Sequence, residues 1–228
     1  MFIPARYTGI RHRYFKITAI AITAIIIAGF VPRYTLRLLR HDPFLTLLVQ
    51  AHGLVMASWI ALFLIQTQLI ARGRADLHRK LGMLGVALIT AMLTIGIPVL
   101  LNAAARKAHG APGAPFYLRL VAFDGVNLLL FACLAAWAVA MRSRAAYHKC
   151  LMLLATLSLL GPAFGRLTEY ANGFSGGSDL AVLLLMLGFL GACVMVDTLS
   201  FRRLHPAWIF GALPVAADLV TYIARTQL

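Results

Sequence analysis

The sequence has little charge for its length, and almost all of that charge is of one sign. Charged residues make up 12% of the 228 residues, with 7 Asp and Glu against 21 Lys and Arg. A soluble domain carries roughly 25% charged residues, so this composition excludes an ordinary soluble protein. The mean hydropathy of +0.86 and apolar runs longer than the ~18 residues that cross a bilayer predict an all-α membrane helical bundle.

Cysteine is scarce as well. Cys133, Cys150 and Cys193 lie far apart within or at the edge of apolar runs, so they provide neither a disulfide framework nor a metal-ligand spacing. The net charge of +14 would suggest nucleic acid in a soluble protein. Here the basic residues cluster in short loops between apolar runs, where they orient helices. We therefore expect the partner to be the lipid bilayer, with anionic lipid at the cytoplasmic face, and not nucleic acid.

Seven transmembrane helices are expected in one domain covering residues 1–228, as a leading helix followed by three helical hairpins. The apolar runs place them at about 14–32, 43–71, 78–101, 116–141, 147–166, 180–200 and 206–225. No small-residue cleavage site follows the first run, so we expect it to be a retained helix. Of the 21 Lys and Arg, 13 fall in segments that are inside if the N-terminus is cytoplasmic, and the positive-inside rule favours that orientation. Arg33, Arg37 and Arg40 are expected on a short amphipathic segment at the outer interface.

A basic motif with one histidine recurs between the spans. The stretches 72–81 and 142–151 both fit R-x-R-A-x-x-H-[RK]-x-L, and 202–206 is a looser copy. With the N-terminus inside, all three copies lie at the cytoplasmic face. This repeat is the main sequence support for three hairpins that run in the same direction.

The inner turns provide the second of two candidate sites. Its residues are His78, His148, Asp197 and His205. If the hairpins pack around a common axis, the imidazoles can bind zinc, or two of them can bracket a haem iron. The alternative is that these residues cap helix starts and meet lipid phosphate. The neighbouring Arg79 and Lys149 favour this alternative, because they would repel a bound cation.

The first candidate site lies in the outer half of the spans. His52, Asp124 and Asp218 each lie ~12–13 Å into a different span at 1.5 Å per residue. Ionisable groups in hydrocarbon are costly, so each should face the bundle interior and find a partner. Arg166 is the expected cationic partner. The full set is His52, Asp124, Asn127, Arg166, Glu169, Asp218 and Tyr222.

Two interpretations of this outer layer stay open. It can be a polar pocket for a b-type haem, a quinone or a small polar ligand, or a buried ion-pair network with a structural role. In the pocket, His52 would be the axial ligand or hydrogen-bond donor, the aspartates proton acceptors, and Arg166 the partner of an anion. A di-haem arrangement is not expected, because His52 is the one histidine at this depth.

Several short motifs occur together along the chain: Ala51-His52-Gly53, Leu77-His78-Arg79-Lys80-Leu81-Gly82, Gly161-Pro162-Ala163 and His205-Pro206-Ala207-Trp208. From His52 to Gly211 the chain resembles a family of bacterial multi-pass membrane proteins with no established activity. The resemblance implies a helical bundle in the bacterial inner membrane and no particular reaction. The chain departs from the pattern at Cys150, where the family usually has Arg, which weakens any dense basic patch there.

The leading functional hypothesis is a non-catalytic or redox-accessory membrane protein with an intramembrane polar pocket. No residues with a catalytic arrangement are identified. A small proton-coupled transporter is the alternative, supported by the hairpin repeat and opposed by the small size and the absence of clearly broken helices. A structural subunit of a membrane protein complex is the third.

Overall fold

The computed structural model describes residues 5–41, 45–108, 114–173, 178–202 and 204–226, with side chains over 13–41, 45–105, 121–173, 178–200, 202, 204–218 and 220. In this part of the chain every regular element is an α-helix. The helices are α1 (Ala5–Leu39), α2 (Leu47–Ala71), α3 (Ala75–Ala108), α4 (Ala114–Ala140), α5 (Ala145–Ser158), α6 (Gly161–Ala171), α7 (Asp179–Phe201) and α8 (Pro206–Thr226). The predicted all-α fold class is confirmed.

Local sequence signals set the helix ends. Thr46 and Ser178 are N-caps whose hydroxyl oxygens accept from the backbone N–H groups of Val49 and Ala181 at 3.4 and 3.2 Å, the usual way to satisfy the first N–H groups of a helix. Gly73, with φ +74°, turns the chain directly after α2, because glycine adopts the left-handed region without a steric penalty.

Five helical segments are long and apolar enough to cross a membrane: Arg13–Leu39, Leu47–Ala71, Ala75–Ala105, Val121–Ala140 and Asp179–Ser200. The bent pair α5 and α6 adds a sixth if it is one broken span. Helix α8 is not among them, although not all of its residues are described. The structure therefore supports a multi-pass protein with five or six spans, while the seventh span and the cytoplasmic N-terminus stay predictions.

The outward surface of the helices is apolar, as a lipid-facing surface must be. Leu47, Met83 and Leu199 are 83%, 73% and 70% exposed. Soluble monomers rarely expose large contiguous apolar patches, whereas lipid tails solvate such side chains without cost. Burial is instead concentrated in α5, where Leu151, Leu153 and Leu154 are fully enclosed. Helix α5 is thus the central element of the bundle.

The fifth span differs from the expected continuous helix over 147–166. It is broken between Ser158 and Gly161, and its two halves meet at 44°. The backbone N–H groups of Leu159 and Leu160 bond three residues back, to Thr156 and Leu157, which tightens the last turn of α5. Pro162 has no N–H to offer the Ser158 carbonyl, so one further hydrogen bond of the helical ladder is missing at the break.

The hairpin pairs α2–α3, α4–α5 and α7–α8 each pack as expected, and α1 packs on α2, α6 and α7. The contact of α1 with α6 is very close at Gly29. A Cβ at this position would lie 2.7 Å from the carbonyl oxygen of Ala163, so only glycine allows the two backbones to approach this far. This crossing brings the outer end of α1 against the broken span.

One expectation about α1 was wrong. Arg33 and Arg37 do not form a separate amphipathic segment, because α1 continues without interruption to Leu39. Pro32 lies inside this helix and does not end it. Arg33 lies beside α6 rather than on an interfacial strip, since it pairs there with Glu169.

Candidate functional site

The outer half of the bundle contains a charged cluster built on the broken span. Arg166 lies on α6, five residues beyond the start of that helix, and interacts electrostatically with Asp124 of α4. Asp124 in turn interacts with Asp218 of α8. Three helices therefore bring together Arg166, the expected cationic partner, and Asp124 and Asp218, two of the three residues that the sequence placed at one depth. Without the break after Ser158, α6 would follow the axis of α5 and aim Arg166 elsewhere.

The guanidinium of Arg166 is held on two sides. Its Nη1 donates to the backbone carbonyl of Pro162 at 2.9 Å, and its Cζ lies 4.2 Å from the ring centroid of Phe30 on α1. Stacking on an aromatic face fixes a guanidinium with little loss of its remaining donors. Phe30 has no sequence signal that marks it as part of the site, because an apolar residue in a membrane helix is expected everywhere.

Glu169 belongs to the same end of the bundle but has its own partner. It forms an ion pair with Arg33, and the hydroxyl of the next residue, Tyr170, donates to the Gly29 carbonyl at 2.8 Å. Glu169 and Tyr170 thus attach α6 to α1. The sequence placed Glu169 near Arg166, but it gave no means of choosing Arg33 as the partner.

Asn127 is 3% exposed and lies where α4 meets the break. Its Nδ2 donates to the Phe123 carbonyl at 2.9 Å. Its Oδ1 has no hydrogen-bond partner among the described residues. The Asn127 carbonyl lies 3.5 Å from the hydroxyl of Ser158, the last residue of α5. An unsatisfied buried amide oxygen beside a broken helix is a polar position that a bound molecule or water can complete.

His52 makes no hydrogen bond to Asp124 in the described structure. Its Nδ1 is buried without a hydrogen-bond partner among the described residues, and its Cε1 faces Gly96 of α3, 4.0 Å from where a Cβ would stand. Leu128 packs against the same glycine. The remaining candidate, Tyr222, lies on α8, but its side chain falls outside the described residues.

Leu128 also lines an apolar groove of about 320 Å³ between α3 and α4. The lining includes Leu93, Ile97, Leu100, Val121 and Gly125. Every one of these lining residues is apolar or glycine.

At the inner end, two of the three turn histidines meet. The ring centroids of His78 and His148 are 6.1 Å apart with an interplanar angle of 84°. The Nδ1 of His148 lies 2.8 Å from the Ala138 carbonyl, and Gln66 donates from Nε2 to the His78 carbonyl at 3.2 Å. Helices α2, α3, α4 and α5 thus converge here, which the sequence could not establish.

His205 and Asp197 of the predicted inner set lie in other contacts. The His205 ring packs on Tyr147 with centroids 4.6 Å apart, and its Nδ1 accepts from the Ala207 N–H at 3.2 Å. Asp197 is 1% exposed and accepts from the Trp208 indole N–H at 2.9 Å. These two residues join α7 and α8 to the bundle rather than completing a three-histidine ring.

The two candidate sites are well separated, and neither is a multi-carboxylate or multi-thiolate metal centre. Gly96, beside His52, is 18 residues beyond His78 on α3, or about 27 Å at 1.5 Å per residue. No group of three or more His, Cys, Asp or Glu side chains in the described residues is arranged to hold a metal ion. A haem at His52 would need a second histidine facing it. In the described structure the histidines that pack against another ring are His78, His148 and His205, all at the inner end.

Comparisons with known proteins give no family assignment. No protein-family model matches the chain, and no curated protein or solved structure matches it either.

Proposed function

We propose that this chain is an integral membrane protein of the bacterial inner membrane that binds a small polar, anionic ligand in the outer half of its helical bundle. The observation that carries the proposal is the position of Arg166, which the broken span directs toward Asp124 of α4 while Phe30 of α1 covers it. A cation inside a membrane bundle is costly and is typical of a functional site.

In this proposal each member of the cluster has a separate task. Arg166 has donors to spare after its bond to Pro162, and its planar fork suits a carboxylate or phosphate group. Asp124 and Asp218, close enough to interact, are suited to share or release a proton, because two neighbouring carboxylates do not ionise independently. The Asn127 amide provides a further polar contact for the ligand. The arrangement favours binding over catalysis, since no nucleophile is paired with a base.

A panel of small solutes tests this function. Thermal unfolding of the detergent-purified protein is measured with carboxylates, phosphate, amino acids, amines and short-chain quinones. A ligand at about 100 times its Kd stabilises the folded state by about 2.7 kcal/mol, which is readily detected. We expect an anionic solute to raise the Tm of the wild-type protein but not that of Arg166→Gln or Asp124→Asn.

The matched control is Asp76→Asn, the same substitution at an aspartate of the inner turn whose side chain is 54% exposed. It should keep the full response. A response that survives Arg166→Gln, or no response to any anion, contradicts the proposal. If only quinones raise the Tm and His52→Leu abolishes the effect, the ligand is a quinone in the α3–α4 groove. A Soret band in the spectrum of the purified protein would indicate haem.

A proton-coupled transporter is a second candidate, and the broken span favours it. The expected absence of broken helices counted against transport, and that objection fails because α5 and α6 meet at 44°. Discontinuous helices are where many transporters bind substrate and coupling ion. Solute flux into proteoliposomes that depends on a pH gradient and is lost in Asp218→Asn would support transport over binding alone.

A further inference from the structure

The inner end of the bundle contains buried polar side-chain atoms that have no hydrogen-bond partner among the described residues. His78 Nδ1 and Gln66 Oε1 are buried and have no hydrogen-bond partner among the described residues. The Nδ1 of His148 faces a carbonyl oxygen at 2.8 Å, and because a carbonyl can only accept, this nitrogen must donate. The lone pair of His148 is therefore on Nε2, away from Ala138.

From these observations we propose that His78 and His148 bind a single Cu(I) ion between α3 and α5, with Gln66 as the positioning residue. A metal-bound histidine commonly donates its other N–H to a carbonyl, which fixes the tautomer and the ring orientation. His148 already has that partner in Ala138. Gln66 acts differently, because its Nε2 donates to the backbone carbonyl of His78 and so ties α2 to the first turn of α3, which carries the His78 ring.

The distance between the rings selects the coordination geometry. A metal ion about 2.0–2.1 Å from an imidazole nitrogen lies about 3.2 Å from the ring centroid, so two ligating rings are about 5.2 Å apart at a tetrahedral angle and about 6.4 Å apart in a line. The observed separation is 6.1 Å. It corresponds to an angle of about 145° at the metal, which is closer to a two-coordinate pair than to two ligands of a tetrahedral zinc ion.

The surrounding charge also favours a monovalent ion. Both histidines lie in the first turn of their helices, His78 in α3 and His148 in α5, where the helix dipole is positive. Arg79 is exposed, and the Lys149 ammonium lies 4.9 Å from the ring centroid of Phe15 on α1. Two neutral imidazoles carry no charge to offset a second positive charge on the metal. A Cu(I) ion therefore meets less repulsion here than a divalent ion does.

This site is independent of the outer ligand-binding site, because Asp124 lies 14 residues before Ala138 on α4, or about 21 Å at 1.5 Å per residue. Failure of one proposal therefore leaves the other intact. It also differs from the outer site in the chemistry it selects, since the outer cluster is ionic and the inner donors are neutral. The proposal requires no redox step, only binding of the metal ion.

The test is anaerobic titration of the detergent-purified full-length protein with Cu(I) against a competing chelator, with parallel titrations of Zn(II), haem and inorganic phosphate. We expect one Cu(I) per chain, with the affinity lowered at least tenfold by His78→Gln and by His148→Gln. The matched control is His205→Gln, in the same layer but with its Nδ1 already bonded to the Ala207 N–H, and it should bind as the wild type does. Gln66→Leu should weaken binding by less than either ligand variant.

Tighter binding of Zn(II), haem or phosphate than of Cu(I) would overturn the assignment, as would Cu(I) binding that both histidine variants retain. If the variants do not fold, an X-ray absorption spectrum of the copper-loaded wild type decides instead. Two nitrogen neighbours support the proposal, while sulfur neighbours or four-fold coordination contradict it.

Discussion

The crossing of α1 and α6 at Gly29 provides the most direct test of the fold around the outer site. A Cβ on Gly29 would lie 2.7 Å from the Ala163 oxygen and 3.0 Å from its Cα. Both are backbone atoms of α6, so a side-chain rotation cannot relieve the clash. Gly29→Ala should therefore separate the two helices and loosen the bond from the Tyr170 hydroxyl to the Gly29 carbonyl.

The magnitude follows from three opposed contributions. Overpacking a well-packed contact costs about 1–3 kcal/mol, and loss of one hydrogen bond costs about 1 kcal/mol. Replacing glycine by alanine inside a helix returns about 1 kcal/mol. The net destabilisation is about 1–3 kcal/mol, which lowers the Tm by about 2–12 °C at roughly 2–4 °C per kcal/mol for a chain of this size.

The chain offers both a convenient assay and a matched control. Cys150 and Cys193 are buried while Cys133 is exposed, so in a Cys133→Ser background a thiol-reactive dye reports unfolding. Gly165→Ala is the control, because its Cβ on α6 would have no atom within 4 Å. That variant should keep or slightly raise the Tm. A Tm for Gly29→Ala equal to or above that of Gly165→Ala would refute the close crossing.

A second measurement separates helix displacement from a local effect. Tyr170→Phe removes the bond to Gly29 and should destabilise the wild-type background by about 1 kcal/mol. In the Gly29→Ala background the same substitution should cost much less, because the displaced helix no longer presents its carbonyl. Additive effects would show that Gly29→Ala does not displace α1, and they would contradict the close crossing of α1 and α6.

Three further predictions concern other contacts. Trp208→Phe should lower the free energy of unfolding by about 1–3 kcal/mol, because it leaves the buried Asp197 carboxyl without its donor. This loss should exceed that of Trp59→Phe, since the Trp59 indole N–H has no partner among the described residues. Equal Tm changes for the two variants would contradict the Asp197 bond. A double-mutant cycle on Arg33→Gln and Glu169→Gln should give a coupling free energy of about 0.5–1 kcal/mol that falls with added salt, because these side chains are partly exposed. A coupling of zero would show that the ion pair does not stabilise the fold. A reporter enzyme that is active only in the cytoplasm should be active when fused to the N-terminus, as the positive-inside rule predicts. Activity instead from a reporter that works only outside the cytoplasm would reverse the orientation.

The sequence was sufficient for the helical class and for the approximate location of most helices. Apolar runs of this length have no soluble alternative, and turn residues such as Gly73 fix where the chain reverses. The depth of Asp124 and Asp218 could also be predicted, because depth in a helix is a count of residues, and Arg166 was the expected cationic partner. Their mutual electrostatic contact follows from that depth once the helices pack together.

What only the tertiary structure decided is which polar groups at one level are neighbours. Depth gives one coordinate, while rotation about each helix axis and the order of helices around the bundle give the others. His52 shares the predicted depth of Asp124, yet it faces Gly96 and makes no hydrogen bond to Asp124 in the described structure. Arg33, which the sequence placed on a surface strip, pairs with Glu169 because Gly29 lets α1 approach α6.

The inner turns show the same division. Their repeated motif predicted that three histidines lie in corresponding turns, one in each hairpin, and it suggested that they form one ring. The packing of α3 against its neighbours instead pairs His78 with His148 and leaves His205 on Tyr147. The pattern of charge and hydropathy is a property of each segment alone, so the sequence determines it. The convergence of His78 with His148, and of Arg166 with Asp124, depends on long-range packing between segments that have no local signal for one another.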